Sequence, residues 1–499
     1  MAASQILLLP GYCVSRCRVE SMNDLKSTRA IMFEDSSPPP LIILQVTLTF
    51  WEPSPQIDLS LIRGVRTPGP TENWQIPARE LGVPDNIDVD MPPLELNLPP
   101  QITSGIKNSL KDDAENLPLW LRFAKPHGYL SALPWERVLT RALERPVLRF
   151  PDLLERPYEN RDVLELAICL DPGRSAPLAK VQTLLDQIAA AILSASPRVQ
   201  TRVHLFTPSF WHQRLRKEGY DKRLQIHDPV SARTSAAALS QKSIESPILS
   251  LWTIWMKAAL GTRSLDAIYF VCNSGMTEFG PALRMSNSLS PNEKYDSCAY
   301  VDAMDLAAIV TRAGAWAALF SNPPPGSAGP TLALAADALA HTRPTAVLYQ
   351  PLAGDEQIAS LRTACAFLFA PNSAPAPSIA DGFLYCPPNY VDAYEKLQIS
   401  SPLPAMEANA SIFRPPHIPG IPDYEIKQPP SWATSLQRQS EFSALERLRR
   451  NASDVLLSSP DSARVQVVPN ASIGSTAGSD DTLEQIHKVI GNYLRKTGG

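Results

Sequence analysis

Five short apolar runs, each stopped by turn residues, constrain what this chain can fold into more than any other feature. The clearest is LDAIYFVCNSGM (265–276). Its β-branched and aromatic residues read as a strand buried on both faces, and Asn-Ser-Gly reads as the loop that ends it. LELAICLDPG (164–173), RVHLFTP (202–208), AWAALFSNPP (315–324) and TAVLYQP (345–351) follow the same grammar. Between most of them lie helical patterns, of which KVQTLLDQIAAAILSA (180–195), DAMDLAAIVTRAG (302–314), TLALAADALAHT (331–342) and DEQIASLRTACAFLF (355–369) are the clearest. Strands without polar alternation, separated by helices, belong in a sheet covered on both faces. The expected fold class is α/β with a mostly parallel sheet.

Flanking segments have a different character. Residues 1–38 mix charges, Ser and Pro without a period and read as a loose leader, with Met22 or Met32 as alternative natural starts. LIILQVTLTF (41–50) and QIDLSLI (56–62), split by WEPSP, read as a strand pair with one wet face, opening a β-rich region over 39–116. Residues 63–105 are Pro-rich and largely irregular, and ITSGIKNSLKDDAEN (102–116) predicts a short helix. From 117 to 400 runs the α/β domain, beginning with two strands around a helix over 118–150; there Trp135 is a core anchor and Glu136 lies near a helix start, where the backbone dipole favours a carboxylate. The stretch 207–262 reads as mostly helical, including SPILSLWTIWMKAAL (246–260). Residues 401–499 form a Pro-rich linker and two closing helices. The last, DTLEQIHKVIGNYLRK (481–496), sets Leu483, Ile486, Val489, Ile490 and Tyr493 on one face, for docking on the body or on a partner.

Charge and cysteine use exclude several classes. Lys+Arg 46 against Asp+Glu 50 leaves a net charge of -4, which gives no general affinity for nucleic acid or membrane. No apolar run approaches the ~20 residues needed to cross a bilayer, and ILLLP near the start lacks the basic leader of a signal peptide. Seven cysteines, an odd number with only a weak Cys13-x-x-x-Cys17 pairing, fit a reducing cytoplasm, with Cys169 and Cys272 inside predicted buried strands. Proline, at 49 residues, implies long extended connections between packed elements. The sequence shows no Walker-type loop, no G-x-G-x-x-G after a strand, no H-E-x-x-H and no paired C-x-x-C, so no cofactor or metal is expected.

Function in an open α/β sheet sits in the crevice at the carboxyl ends of the strands. Two loops qualify: Asn273-Ser274-Gly275, and Ser321-Asn322-Pro323 after AWAALF. If their strands are neighbours, the two loops face each other where a nucleophile and its base would sit. Cys272 lies next to that crevice, but by strand alternation it points into the packing. Arg174, in the strand-to-helix turn LDPGRSAPLAK (170–180), is a third polar contact; the turn could cradle an anion or be an ordinary turn capped by Ser175. His127, His204, His212, His227 and His341 each have an ordinary reading, as loop, strand-end, helix or helix-end histidines, and Asp355 and Glu356 read as helix caps.

In the order and spacing of its parts, the stretch 117–368 resembles the CHAT family of caspase-like proteins, within the caspase and haemoglobinase fold. Those parts are LPWE (133–136), IYFVCNSG (268–275), PALRMS (281–286), YVDAMDLAAIVTRAGAWAALFSNPP (300–324) and RPTAVLYQPLAGDEQIASLRTACAFLF (343–369). Where the family has a histidine after the strand, this chain has Asn273. Where the family has its nucleophilic cysteine, it has Asn322, or Pro323 if the register slips by one. A cysteine protease needs a thiolate and a base titrating near neutral pH, and a carboxamide supplies neither. The resemblance therefore implies a cytoplasmic pseudoenzyme that binds a protein partner as adaptor, scaffold or regulatory subunit, homo- or hetero-oligomeric, in bacterial defence or signalling. Two other readings stand beside it: a hydrolase with a relocated nucleophile at Ser274, Ser321 or Cys272, and a small-ligand sensor in which Asn273, Asn322 and Arg174 line the emptied crevice.

Overall fold

The computed structural model describes residues 39–49, 55–64, 72–83, 95–124, 127–153, 163–195, 200–216, 224–229, 251–277, 280–286, 298–324 and 330–397. The leader, the linker, both closing helices with Leu483, Ile486, Val489, Ile490 and Tyr493, and Cys13 and Cys17 lie outside the described residues.

Three strands come first, Ile42–Thr49 (β1), Gln56–Arg63 (β2) and Glu72–Pro77 (β3), followed by the helix Pro100–Ser109 (α1). Leu119–Phe123 (β4), Trp135–Leu143 (α2) and Val147–Arg149 (β5) come next. Then run Val163–Asp171 (β6), Leu178–Ala195 (α3), Gln200–Phe206 (β7), Ser209–Leu215 (α4), Leu224–Ile226 (β8) and Leu251–Leu260 (α5). Ala267–Thr277 (β9) leads into Gly280–Ser286 (β10) and Cys298–Asp302 (β11). Ala303–Ala313 (α6), Ala317–Ser321 (β12), Pro330–Thr342 (α7), Ala346–Tyr349 (β13), Asp355–Leu368 (α8) and Phe383–Tyr385 (β14) close the described chain.

All fourteen strands join one sheet in the order β3-β2-β1-β4-β5-β14-β13-β12-β9-β6-β7-β8, with β10 and β11 branching from β9. It is the mostly parallel α/β sheet the apolar runs predict. Strands β13, β12, β9, β6, β7 and β8 run one way. β14 runs against β13 but along β5, so β1, β4, β5 and β14 form a second parallel block of opposite direction. The carboxyl ends of the two blocks therefore lie at opposite edges of the sheet.

The period-two alternation of a strand explains why these runs carry no polar stripe. Leu166, Ile168 and Leu170 of β6 face α3 and α8, packing with Val181, Leu185, Ile188, Leu361 and Ala364. Ala167 and Cys169, one residue out of phase, face the other layer with Trp252, Ile309 and Leu339 of α5, α6 and α7. Both faces are core, so both parities must be apolar. At α6 the side chain of Asp302 accepts from the amides of Met304 and Asp305 (2.9 and 3.1 Å), and Gly314 ends the helix at φ 74°.

Four local expectations change. The stretch 207–262 is not only helical, because Leu224–Ile226 adds β8 to the edge of β7. β14 lies in a stretch to which the sequence reading assigns no strand, and it joins the two blocks. Three-residue strands are too short to display a period, and neighbours rather than propensity decide them. Gly354, with no side-chain cap bond, precedes α8, so Asp355 and Glu356 sit in its first turn rather than capping it. Glu136 does open α2, yet its carboxylate is 2.5 Å from Nε of Arg149 and answers a buried cation as well as a helix dipole.

Candidate functional site at the carboxyl rim

β9 and β12 are hydrogen-bonded neighbours in parallel, from Ala267 beside Ala317 to Val271 beside Ser321. On the other flank of β9, Asp171 at the end of β6 lies level with Cys272. The two segments singled out by sequence thus share one rim, about one strand spacing (~4.8 Å) apart.

The first of them is not a loop. β9 continues through Asn273, Ser274 and Gly275 to Thr277, then folds back as β10, with Asn273 opposite Arg284, Ser274 opposite Leu283 and Gly275 opposite Ala282. Gly280 takes the turn at φ 109°, and the Thr277 hydroxyl donates to its carbonyl (2.9 Å). Pairing with β10 overrides the turn preference of Asn-Ser-Gly. Ser274 and Gly275 are half-buried, and Gly275 lies under the ring of Tyr300: a Cβ added there would be 3.1 Å from Cε1.

Asn273 and Asp171 at this edge are tied to backbone. Asn273 Nδ2 donates to the Pro172 carbonyl (3.1 Å) and lies so close to Gly173 that a Cβ there would come within 3.3 Å of it. Gly173 sits at φ 76°, its carbonyl accepts from Trp211 Nε1 (3.2 Å), and Asp171 Oδ2 accepts the Ser286 amide (2.6 Å). Arg174 is exposed, with its guanidinium carbon 5.6 Å from the Phe210 ring centroid. Asn322 is half-buried and Pro323 buried.

Neither Ser321 nor Cys272 is set up as a nucleophile. Ser321 is fully buried; its hydroxyl donates to the Gln350 carbonyl (2.6 Å) and lies 2.7 Å from the Tyr269 hydroxyl, whose proton it accepts. Its proton thus goes to a carbonyl, which cannot act as a general base. Cys272 is fully buried and its thiol donates to the Cys169 carbonyl (3.4 Å). Burial, reinforced by the nearby Asp171 carboxylate, pushes that thiol well above the ordinary range. A thiolate is what attacks, so Cys272 is inert in the folded chain.

Three of the histidines are placed elsewhere in the α/β layers. His204 is fully buried on β7, with Nε2 2.5 Å from Glu165 Oε2 and Nδ1 2.9 Å from His227 Nε2. Burial lowers the pKa of His204 despite its carboxylate. It lowers that of His227 to about 4, helped by His204 and Arg263. His212 lies buried in α4 and is likewise lowered by burial.

A second gathering of ionisable groups went unseen in the sequence. Arg149 at the end of β5 is fully buried, bonded to Glu136, to Asp337 of α7 (3.4 Å) and to the Ser131 carbonyl (2.8 Å), and its guanidinium stacks 3.7 Å over Phe383. His127 and His341 flank Asp337. The i,i+4 spacing of Asp337 and His341 on one helix was the available signal; the partners from 127, 136 and 149 are brought in only by the fold.

Comparison with protein-family models, curated proteins and solved structures finds no match. Fold and rim together define an α/β protein with a mostly parallel sheet. Among the described residues no helix is long and apolar enough to cross a membrane.

Proposed function

We propose that this chain is a catalytically inactive relative of the CHAT-type caspase-like proteins, acting in the cytoplasm as a protein-binding adaptor, scaffold or regulatory subunit. The observation that carries the reading is the pairing of β9 with β12, which sets Asn273 and Asn322 on one rim, at the positions where the resemblance calls for histidine and cysteine. A carboxamide neither takes up a proton at neutral pH nor attacks a carbonyl. The fully buried Cys272 and Ser321 do not replace them. With that chemistry gone, the fold's remaining capacity is recognition, in the defence or signalling settings the resemblance suggests. The apolar face of Leu483, Ile486, Val489, Ile490 and Tyr493 is the proposed contact.

The test is co-purification of the tagged full chain from its native host, beside a version lacking residues 478–499. A partner retained by the full chain and lost on truncation, with melting unchanged, is the expected result. Equal recovery by both forms removes the closing helix from the proposal, and recovery of nothing by either removes the adaptor role.

A further inference from the structure

The edge of the sheet opposite the amide rim carries chemistry that the adaptor reading does not use. His127 precedes the 3-10 turn Gly128–Ala132, and Asp337 and His341 lie one turn apart on α7. One donor atom from each of the three comes within 4.8 Å of the other two. His127 Nε2 is 3.8 Å from Asp337 Oδ2, and His341 Nε2 is 3.7 Å from Asp337 Oδ1.

The far nitrogens fix what the near ones present. His341 Nδ1 is 2.8 Å from Asp152 Oδ2, and His127 Nδ1 is 3.4 Å from the Gly128 carbonyl. Carboxylate and carbonyl oxygens only accept, so each Nδ1 holds the proton, and a neutral imidazole then turns the lone pair of Nε2 toward Asp337. A histidine anchored through one nitrogen by a carboxylate or carbonyl is the usual support of a metal-binding imidazole. Tyr385 donates to Asp337 Oδ1 (2.6 Å) and orients the carboxylate.

Arg149 holds the Asp337 carboxylate and Arg122 the Asp152 carboxylate in place, so the two imidazoles face an anchored anion, and a cation shared by all three is favoured there.

We propose that His127, Asp337 and His341 bind a divalent transition-metal ion of the zinc class. Two imidazole nitrogens and one carboxylate oxygen suit zinc; bonds of about 2.0–2.1 Å in a tetrahedral site place ligands ~3.3 Å apart, so the ion draws in side chains whose donor atoms now lie within 4.8 Å of one another. The ion clips the turn after β4 to α7 across some two hundred residues of chain, so binding it stabilises the fold.

The test uses the full chain, tag removed and stripped with a chelator, then titrated with zinc sulfate and assayed by elemental analysis and calorimetry. Close to one zinc per chain is expected. His127→Gln and His341→Gln should each lower retained zinc at least tenfold without changing the melting point of the stripped protein. Asp152→Asn, which changes the partner of His341 Nδ1 and of Arg122 but none of the three ligands, should weaken affinity about 10–100-fold. If the histidine variants do not fold, cobalt in the wild-type chain decides: a four-coordinate visible spectrum without the thiolate band that Cys13 or Cys17 would add supports the site, and a six-coordinate or thiolate spectrum overturns it. Wild-type protein that takes up no more zinc than the double histidine variant also overturns it. So does a stripped protein whose melting point zinc leaves unchanged.

Discussion

Replacing Arg149 by methionine tests how the two blocks of the sheet are held together. Arg149 ends β5 beside β14, and its fully buried guanidinium makes two bonds to Glu136 (2.5 and 3.3 Å), one to Asp337 (3.4 Å) and one to the Ser131 carbonyl (2.8 Å). It also stacks over Phe383 of β14, 3.7 Å from the ring centroid. Arg149→Met keeps the aliphatic stem but leaves two carboxylates buried without their cation. Breaking a buried pair from one side costs about 3–5 kcal/mol, and one ion pair near 4 Å at an effective dielectric of about 20 is worth ~4 kcal/mol. Urea unfolding followed by tryptophan fluorescence reads the loss directly, as a lower midpoint at unchanged slope. Glu136→Gln alone leaves Arg149 with Asp337 and should cost less. The double variant should be less destabilised than the sum of the singles by roughly 1–3 kcal/mol, the coupling of residues in one network. A loss below about 1 kcal/mol for Arg149→Met, or additivity within ~0.5 kcal/mol, would refute the cluster as the seam.

Three further outcomes follow from the same coordinates. A Cβ at Gly382 would overlap the Tyr349 carbonyl oxygen and come within 3.2 Å of Gln350 Cα, so Gly382→Ala should destabilise by about 1–3 kcal/mol in the same urea assay, by prising β14 from β13. In the metal-free protein burial raises the Asp337 carboxyl, but the positive charge that His341 and His127 carry once protonated in acid, with Arg149 and the Tyr385 hydrogen bond, outweighs it and holds its pKa below the ordinary value. Its contribution is therefore complete above about pH 4 and drains away at lower pH, and Asp337→Asn should flatten that acid limb of a stability-against-pH curve. The folded pKa of His227, about 4, lies below its unfolded value near 6.5. Folding then favours the neutral ring, stability falls as pH drops from about 6.5 toward 4, and His227→Gln should make that slope shallower, leaving the part carried by His204 and His212.

The sheet was legible because its central strands are buried on both faces: no charged or amide residue interrupts Ile268–Cys272 or Ala317–Phe320, as a covered parallel strand requires. β8 and β14, three residues each, carry no period, and their pairing with β7 and with β13 and β5 defines them. Asn273-Ser274-Gly275 misled for the opposite reason, since turn-forming residues were recruited into a hairpin by β10. At the site, the identity of Asn273 and Asn322 was readable, and strand alternation already turned Cys272 into the core. The gathering around Asp337 was not readable, because residues 127, 136, 149, 337 and 385 meet only when β5, β14 and α7 pack together.

The inertness of the amide rim is tested most directly by treating the folded full-length protein with a fluorophosphonate and, separately, with an iodoacetamide probe, then mapping labelled residues by mass spectrometry. An inert rim predicts no label at Ser274, Ser321 or Cys272 until denaturant is added, when the Cys272 thiol becomes reactive. Label at any of the three in the folded chain would contradict it and restore a hydrolase.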